Sequence, residues 1–153
     1  GTYEQAKGVF SAAASSLAQT IEFIPREYDN YLFITNIYNV AGDALSRSYF
    51  DTAAEWARKG IAVSEFGPGI RYQYAVALNG KGESGAAEEQ LRIAADLDPN
   101  YAEPRIFLAQ LLMERGDRAA ALELIEEVQR IRPDYPGLED LIESAGITGT
   151  EGE

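Results

Sequence analysis

Five residues of this chain recur 34 positions later with their types preserved: Ala75 as Ala109, Leu78 as Leu112, Gly82 as Gly116, Ala87 as Ala121 and Pro99 as Pro133. A glycine divides each stretch and a proline closes it. A unit of this length cannot bury its apolar face alone, so it must stack on neighbours of the same kind. The period therefore predicts stacked helix hairpins, which offer an extended concave surface rather than an enclosed pocket. That shifts the expected role from catalysis toward binding.

Within the repeat at 102–135, Leu108, Ala109 and Leu112 share one helical face. Gly116 stands where a left-handed residue ends the first helix, and Pro133 follows the second. Ala121, Leu122, Ile125, Val128 and Ile131 line that second helix. The repeat at 68–101 has the same parts: Tyr74, Ala75 and Leu78, then Gly82, then Ala87, Leu91, Ala94 and Leu97 before Pro99. Alanine stands where the two helices must approach closely, and a larger side chain there would overpack by about 1–3 kcal/mol.

Upstream the period is stretched. Gly42 stands after Pro25 at the same distance as Gly116 after Pro99. One period before Pro99 the chain has Glu65 rather than proline, and Glu65 lies six positions beyond the place that a period counted from Pro25 would reach. Six extra residues must fall between Gly42 and Ala53, in a longer hairpin turn or in added helix. Gly8, Ala13, Leu17 and Phe23 precede Pro25 by the distances at which Gly82, Ala87, Leu91 and Leu97 precede Pro99. Residues 8–23 thus read as the second helix of a repeat whose first helix is missing, with Thr2–Lys7 extending it. After Pro133, residues 136–146 read as a closing helix with Pro136 in its first turn, Gly146 past its end, and Glu139, Asp140 and Glu143 outward. The expected organisation is a repeat domain over 1–146 and a disordered tail over 147–153. Gly1 opens the chain mid-repeat and without a methionine, as an excised piece of a longer polypeptide would.

The formal charge of −12 disfavours phosphate backbones and anionic membrane surfaces, so nucleic acid is not an expected partner. Without cysteine or histidine there is no disulfide, no thiolate site and no imidazole base or ligand. Gly67–Pro68–Gly69 lacks the Gly-Lys-Ser/Thr ending of a phosphate loop. The carboxylate pairs Glu88–Glu89 and Glu126–Glu127 are expected on solvated faces without buried partners. Neither enzyme activity nor a metal or cofactor is expected of this chain.

These residues resemble the tetratricopeptide repeat (TPR) family, whose pattern has a small residue in the first helix, glycine at the hairpin, alanine twice in the second helix and a closing proline. The resemblance implies an all-α, right-handed superhelical solenoid of antiparallel hairpins: about three and a half repeats and a capping helix. Arg71 and Arg105 stand where the family usually has an aromatic, whereas Tyr31 and Tyr38 fill the aromatic positions of the stretched repeat. The segment 23–64 also resembles the irregular first repeat of TPR tails on O-antigen ligase and polymerase-type membrane proteins. That resemblance implies an extracytoplasmic accessory tail, so the compartment stays open between cytoplasmic and extracytoplasmic.

In such a fold the first helix of each hairpin lines the groove. The inferred register places Leu32, Asn36 and Asn39, then Tyr72, Val76 and Asn79, then Ile106, Gln110 and Met113 on that strip. Its amides suit a peptide backbone, and the expected partner is a protein or peptide. A clamp for a terminal carboxylate is disfavoured because Leu32 replaces the basic residue one turn before Asn36. Tyr28, Tyr31, Phe33 and Tyr38 are expected to pack in the core, and Trp56 beside the inserted residues.

Overall fold

The computed structural model describes residues 1–146. Among these it contains eight α-helices and no strand: α1 Thr2–Phe23, α2 Tyr28–Ala44, α3 Tyr49–Val63, α4 Pro68–Gly80, α5 Ser84–Leu97, α6 Ala102–Arg115, α7 Arg118–Ile131 and α8 Leu138–Ser144. Two compact units divide the chain, Gly1–Leu97 and the part from Asp98 onward. The first holds α1–α5 and the second α6–α8. The expected tail at 147–153 lies outside the described residues.

The sequence period is also a period of backbone conformation. Gly82 and Gly116 have φ of +86° and +89°. The residue after each glycine donates its N–H five positions back, Glu83 to Leu78 O at 2.9 Å and Asp117 to Leu112 O at 2.8 Å. This closure satisfies the last carbonyls of α4 and α6 and needs a residue that enters the left-handed region without strain. Asp117 also caps α7, its carboxylate accepting from Ala120 N–H at 3.3 Å. Between the helices, Ala75, Ala87, Ala109 and Ala121 are fully buried, as are the paired Leu91 and Ile125.

The six extra residues are spread over the stretched hairpin. Compared with α6–α7, α2 is three residues longer, the turn two and α3 one. Gly42, the sequence counterpart of Gly82 and Gly116, lies inside α2 and has no positive φ. Its role is close approach: a Cβ there would stand 2.6 Å from the ring of Phe50, which lies in the first turn of α3 and is 2% exposed. A Cβ on Gly80, the last residue of α4, would meet the same ring. Arg47 in the lengthened turn donates to Gly80 O at 2.6 Å and lies 6.0 Å from the centre of the Phe50 ring. The insertion thus drives one aromatic side chain between the ends of α2 and α4.

α1 is a single helix of 22 residues, so Thr2–Lys7 does extend the half repeat and Gly8 sits in helix rather than at a turn. Ile21 of α1 forms a core with Tyr31 and Ile34 of α2, joined by Leu17, Ala18, Tyr38, Trp56 and Val63. Trp56 therefore does not accompany the insertion. Its ring packs 6.2 Å from that of Tyr31, and the Lys59 ammonium lies 4.3 Å from its centre. Tyr31 is core as expected, and Tyr38 is half-buried against Phe10 and Tyr49. Phe33 is not core, being 56% exposed.

Tyr28 has a further task. The N-terminus of α4 has no side-chain cap of its own, and the Tyr28 hydroxyl accepts from Ile70 N–H at 3.0 Å. It fills the place of the missing cap from a neighbouring helix. Burial raises its pKa above the ordinary value, which keeps the hydroxyl neutral. In the second unit, Pro136 lies in a turn before α8 rather than in its first turn. Gly146 takes φ of +83° past the helix end, and Arg118 donates to Ser144 O at 3.0 Å.

Truncating Phe50 should leave a cavity where α2, α3 and α4 meet. Phe50→Ala is expected to lower the unfolding free energy by about 3–5 kcal/mol in urea denaturation. Gly42→Ala should also destabilise, because the added carbon falls against the ring from the other side.

Candidate functional site

The first helices of the repeats carry the expected groove residues, and the structure sorts them into two kinds. In the first unit Asn36 is exposed, while Leu32, Tyr72, Val76 and Asn79 are half-buried. In the second, Gln110 is exposed and Met113 half-buried. Asn39 and Ile106 are interior instead, at 3% and 8% exposure. Asn39 Nδ2 donates to both the backbone carbonyl and the side-chain oxygen of Gln73, each at 2.9 Å. It joins α2 to α4 rather than facing a ligand. Its Oδ1 is buried without a partner. Asn79 is partly engaged as well, accepting from the Ser84 hydroxyl at 3.2 Å.

The two arginines at the aromatic positions turn away from any ligand role and bind within their own hairpins. Arg71 donates to Gln90 Oε1 of α5 at 3.0 Å and to Glu65 O at 3.2 Å. Arg105 donates to Glu127 of α7 at 2.9 Å and to Tyr101 O at 3.2 Å. Each guanidinium ties a first helix to its second, the work an aromatic ring does at Tyr31. Glu127 is consequently not a carboxylate without a buried partner: Arg105, whose side chain is 11% exposed, holds it.

Two clefts include expected groove residues. In the first unit a cleft of about 470 Å³ lies between α1 and α2, and Asn36 borders it together with Val9, Phe10, Ile37 and Val40. In the second unit a cleft of about 480 Å³ lies between α6 and α8, where Ile106 and Gln110 meet Tyr135, Asp140, Leu141 and Ser144. Burial, with Glu103 alongside, holds the Tyr135 phenol above its ordinary pKa, so it remains a neutral hydrogen-bonding group. Glu103 is itself paired with Arg132 at 3.2 Å. Tyr135 and Gln73 are not among the residues that the sequence pattern singles out. Gln73 follows Asn39 by 34 residues, but the six-residue stretch makes Asn79 the repeat counterpart of Asn39, so the period gave no signal for this pair.

The family model described as tetratricopeptide repeat matches residues 78–143. Over that stretch the chain carries tetratricopeptide repeats. Its fold is similar to that of TTC0263, a thermophilic TPR protein of Thermus thermophilus, at a TM-score of 0.79 and 22% identity over 94% of this chain and 78% of that one. It is similar to MamA at a TM-score of 0.77 and 21% identity, over 93% of this chain and 80% of the other. The first TPR domain of Spaghetti (RPAP3), bound to the HSP90 peptide SRMEEVD, matches at a TM-score of 0.65 and 15% identity, over 78% of this chain and 92% of that one. No curated protein matches the chain.

Asn39 joins α2 to α4. Asn39→Ala should therefore cost about 1–3 kcal/mol of stability, because it removes a buried donor and strands the Gln73 groups it satisfied. Thermal unfolding followed by circular dichroism measures the loss. A variant as stable as the parent would mean that Asn39 belongs to the groove after all.

Proposed function

We propose that this chain is a non-catalytic TPR scaffold that binds an uncharged or basic polypeptide segment on the exposed sides of the first helices within a unit. The observation that carries the proposal is the chemistry of those sides. Their accessible residues are amides and apolar groups: Leu32, Asn36, Tyr72, Val76 and Asn79 in one unit, Gln110 and Met113 in the other. Amides can pair with the backbone of an extended peptide, and the apolar groups between them can hold its side chains. The peptide seen on the first TPR domain of Spaghetti offers a precedent for the fold binding a peptide.

That peptide is acidic, and an acidic ligand suits this chain poorly. The net charge of −12 repels it, and Arg71 and Arg105 already serve partners within their hairpins. Ile106 and Asn39 contribute from below the surface, by shaping the strip rather than touching a ligand. The alternative of an extracytoplasmic tail on an O-antigen ligase or polymerase gains no support from the similarities described. The lengthened hairpin that suggested it has a packing role at Phe50. Among the described residues no helix is long and apolar enough to cross a membrane.

Selection from a random peptide display library tests the proposal. Ligands without an acidic bias should emerge, and Tyr72→Ala or Gln110→Ala should weaken them about tenfold or more, which corresponds to about 1.4 kcal/mol. Thermal midpoints should stay near that of the parent. Micromolar binding of a peptide ending in Glu-Glu-Val-Asp in calorimetry, abolished by Arg71→Ala or Arg105→Ala, would overturn the reading.

A further inference from the structure

The cleft between α6 and α8 differs in charge from the one between α1 and α2. No charged side chain lines the α1–α2 cleft, whereas Asp140 lines the α6–α8 cleft. The local sequence puts it there. Gly137 takes φ of +79° just before α8, and Leu138 and Ala145 are both buried, which turns one face of the helix inward. Leu141 is half-buried, and Asp140 and Ser144, one turn apart, stay exposed. Across the cleft, Ile106 and Gln110 of α6 are also one turn apart, the first buried and the second exposed.

Asp140 has no cation of its own. Residues 98–153 carry five arginines against thirteen acidic residues, a net −8. Four of the five arginines are engaged: Arg105 by Glu127, Arg115 by Asp117, Arg132 by Glu103, and Arg118 by the Ser144 carbonyl. The fifth, Arg130, is exposed on α7 and does not line the cleft. Arg132 does approach the lining, 5.2 Å from the centre of the Tyr135 ring, but Glu103 offsets its charge. Asp140 thus forms no ion pair among the described residues.

The rest of the lining suits the end of a long cationic side chain. The Ser144 hydroxyl donates its proton to Leu141 O at 2.9 Å, which leaves its own oxygen to accept. Gln110 adds an amide oxygen. An ammonium or a guanidinium brings only donors, so carboxylate, hydroxyl and amide oxygens are the complement it needs. Ile106 and Leu141 supply apolar surface for the methylenes of the stem. We propose that this cleft is the subsite for a lysine or arginine side chain of the bound polypeptide, with Asp140 as its counter-ion. Resting on the peptide-binding reading above, this fixes where a basic residue of the peptide sits. An acid in the first turn also favours the dipole of α8, but Glu139 does the same from outside the cleft. Only Asp140 combines that position with the lining of a cleft.

Peptides selected on the full chain from a random display library, then measured by calorimetry at about 50 mM salt, test the subsite. They should share a lysine or arginine at one position. Replacing it with norleucine for lysine, or citrulline for arginine, keeps the stem and removes the charge. That change should weaken binding to the parent about fivefold. Against Asp140→Asn the same change should cost less than about twofold, because the charge then has no partner to lose. Glu139→Gln, which removes the same charge from an exposed site outside the cleft, should behave as the parent does. Selected peptides with no shared basic residue, or a fivefold loss that persists in Asp140→Asn, overturn the subsite and leave the peptide-binding reading standing. A loss of preference in Glu139→Gln equal to that in Asp140→Asn also overturns it, since the overall charge of the unit would then be the attraction. If no peptide is enriched, both the reading and the subsite fall.

Discussion

The hairpins exist because their helices touch at residues with almost no side chain. Ala53, Ala57, Ala75, Ala77, Ala87, Ala94, Ala109 and Ala121 are all fully buried, and they lie on both helices of successive pairs. Close approach at these points lets the larger residues around them, such as Ile34, Leu91, Leu108 and Ile125, close the core without voids. Each helix then shares its remaining faces with neighbours, which leaves the outward side of the first helices free of structural duty.

Where the size at the contact changes, its partner changes too. In the stretched hairpin Gly60 replaces the alanine of the next repeat, and a Cβ there would come within 2.9 Å of Tyr31 and Ile70. That hairpin holds an aromatic ring at position 31. The later repeats have Ala94 and Val128 at the corresponding second-helix positions, and arginine in place of the aromatic. The arginines join their helices through Gln90 and Glu127 rather than through ring packing. One architectural joint is thus made by two chemistries. The exchange also explains why basic side chains near the helix starts are poor candidates for gripping an anionic ligand.

Much of this was legible because the recurring residues encode local conformation. A glycine that ends a helix, an alanine at a crossing and a proline past a terminus act through their immediate neighbours, so Gly82, Gly116 and Pro133 could be read one by one. Gly42 shares the spacing of the turn glycines but has a different cause, the ring of Phe50 arriving from α3. Trp56 was misplaced for a similar reason. Its contacts with Tyr31 and Lys59 depend on how α3 is rotated against α2, and no local pattern records that rotation. Of the residues assigned to a groove, Asn36 and Gln110 are exposed, while Asn39 was drawn inward by Gln73 on the next first helix.

The helix pairs, their turns and their crossing points are written in the order of residues alone, because helix periodicity and the demands on glycine, alanine and proline are properties of a few adjacent positions. Which polar groups are spent on holding helices together, and which remain for a partner, is settled by packing. Arg71, Arg105 and Asn39 look available in one dimension. In three dimensions each is bonded to a neighbouring helix or loop. A buried or half-buried polar group must find a partner within hydrogen-bonding distance, and only the folded chain brings residues from separate helices that close.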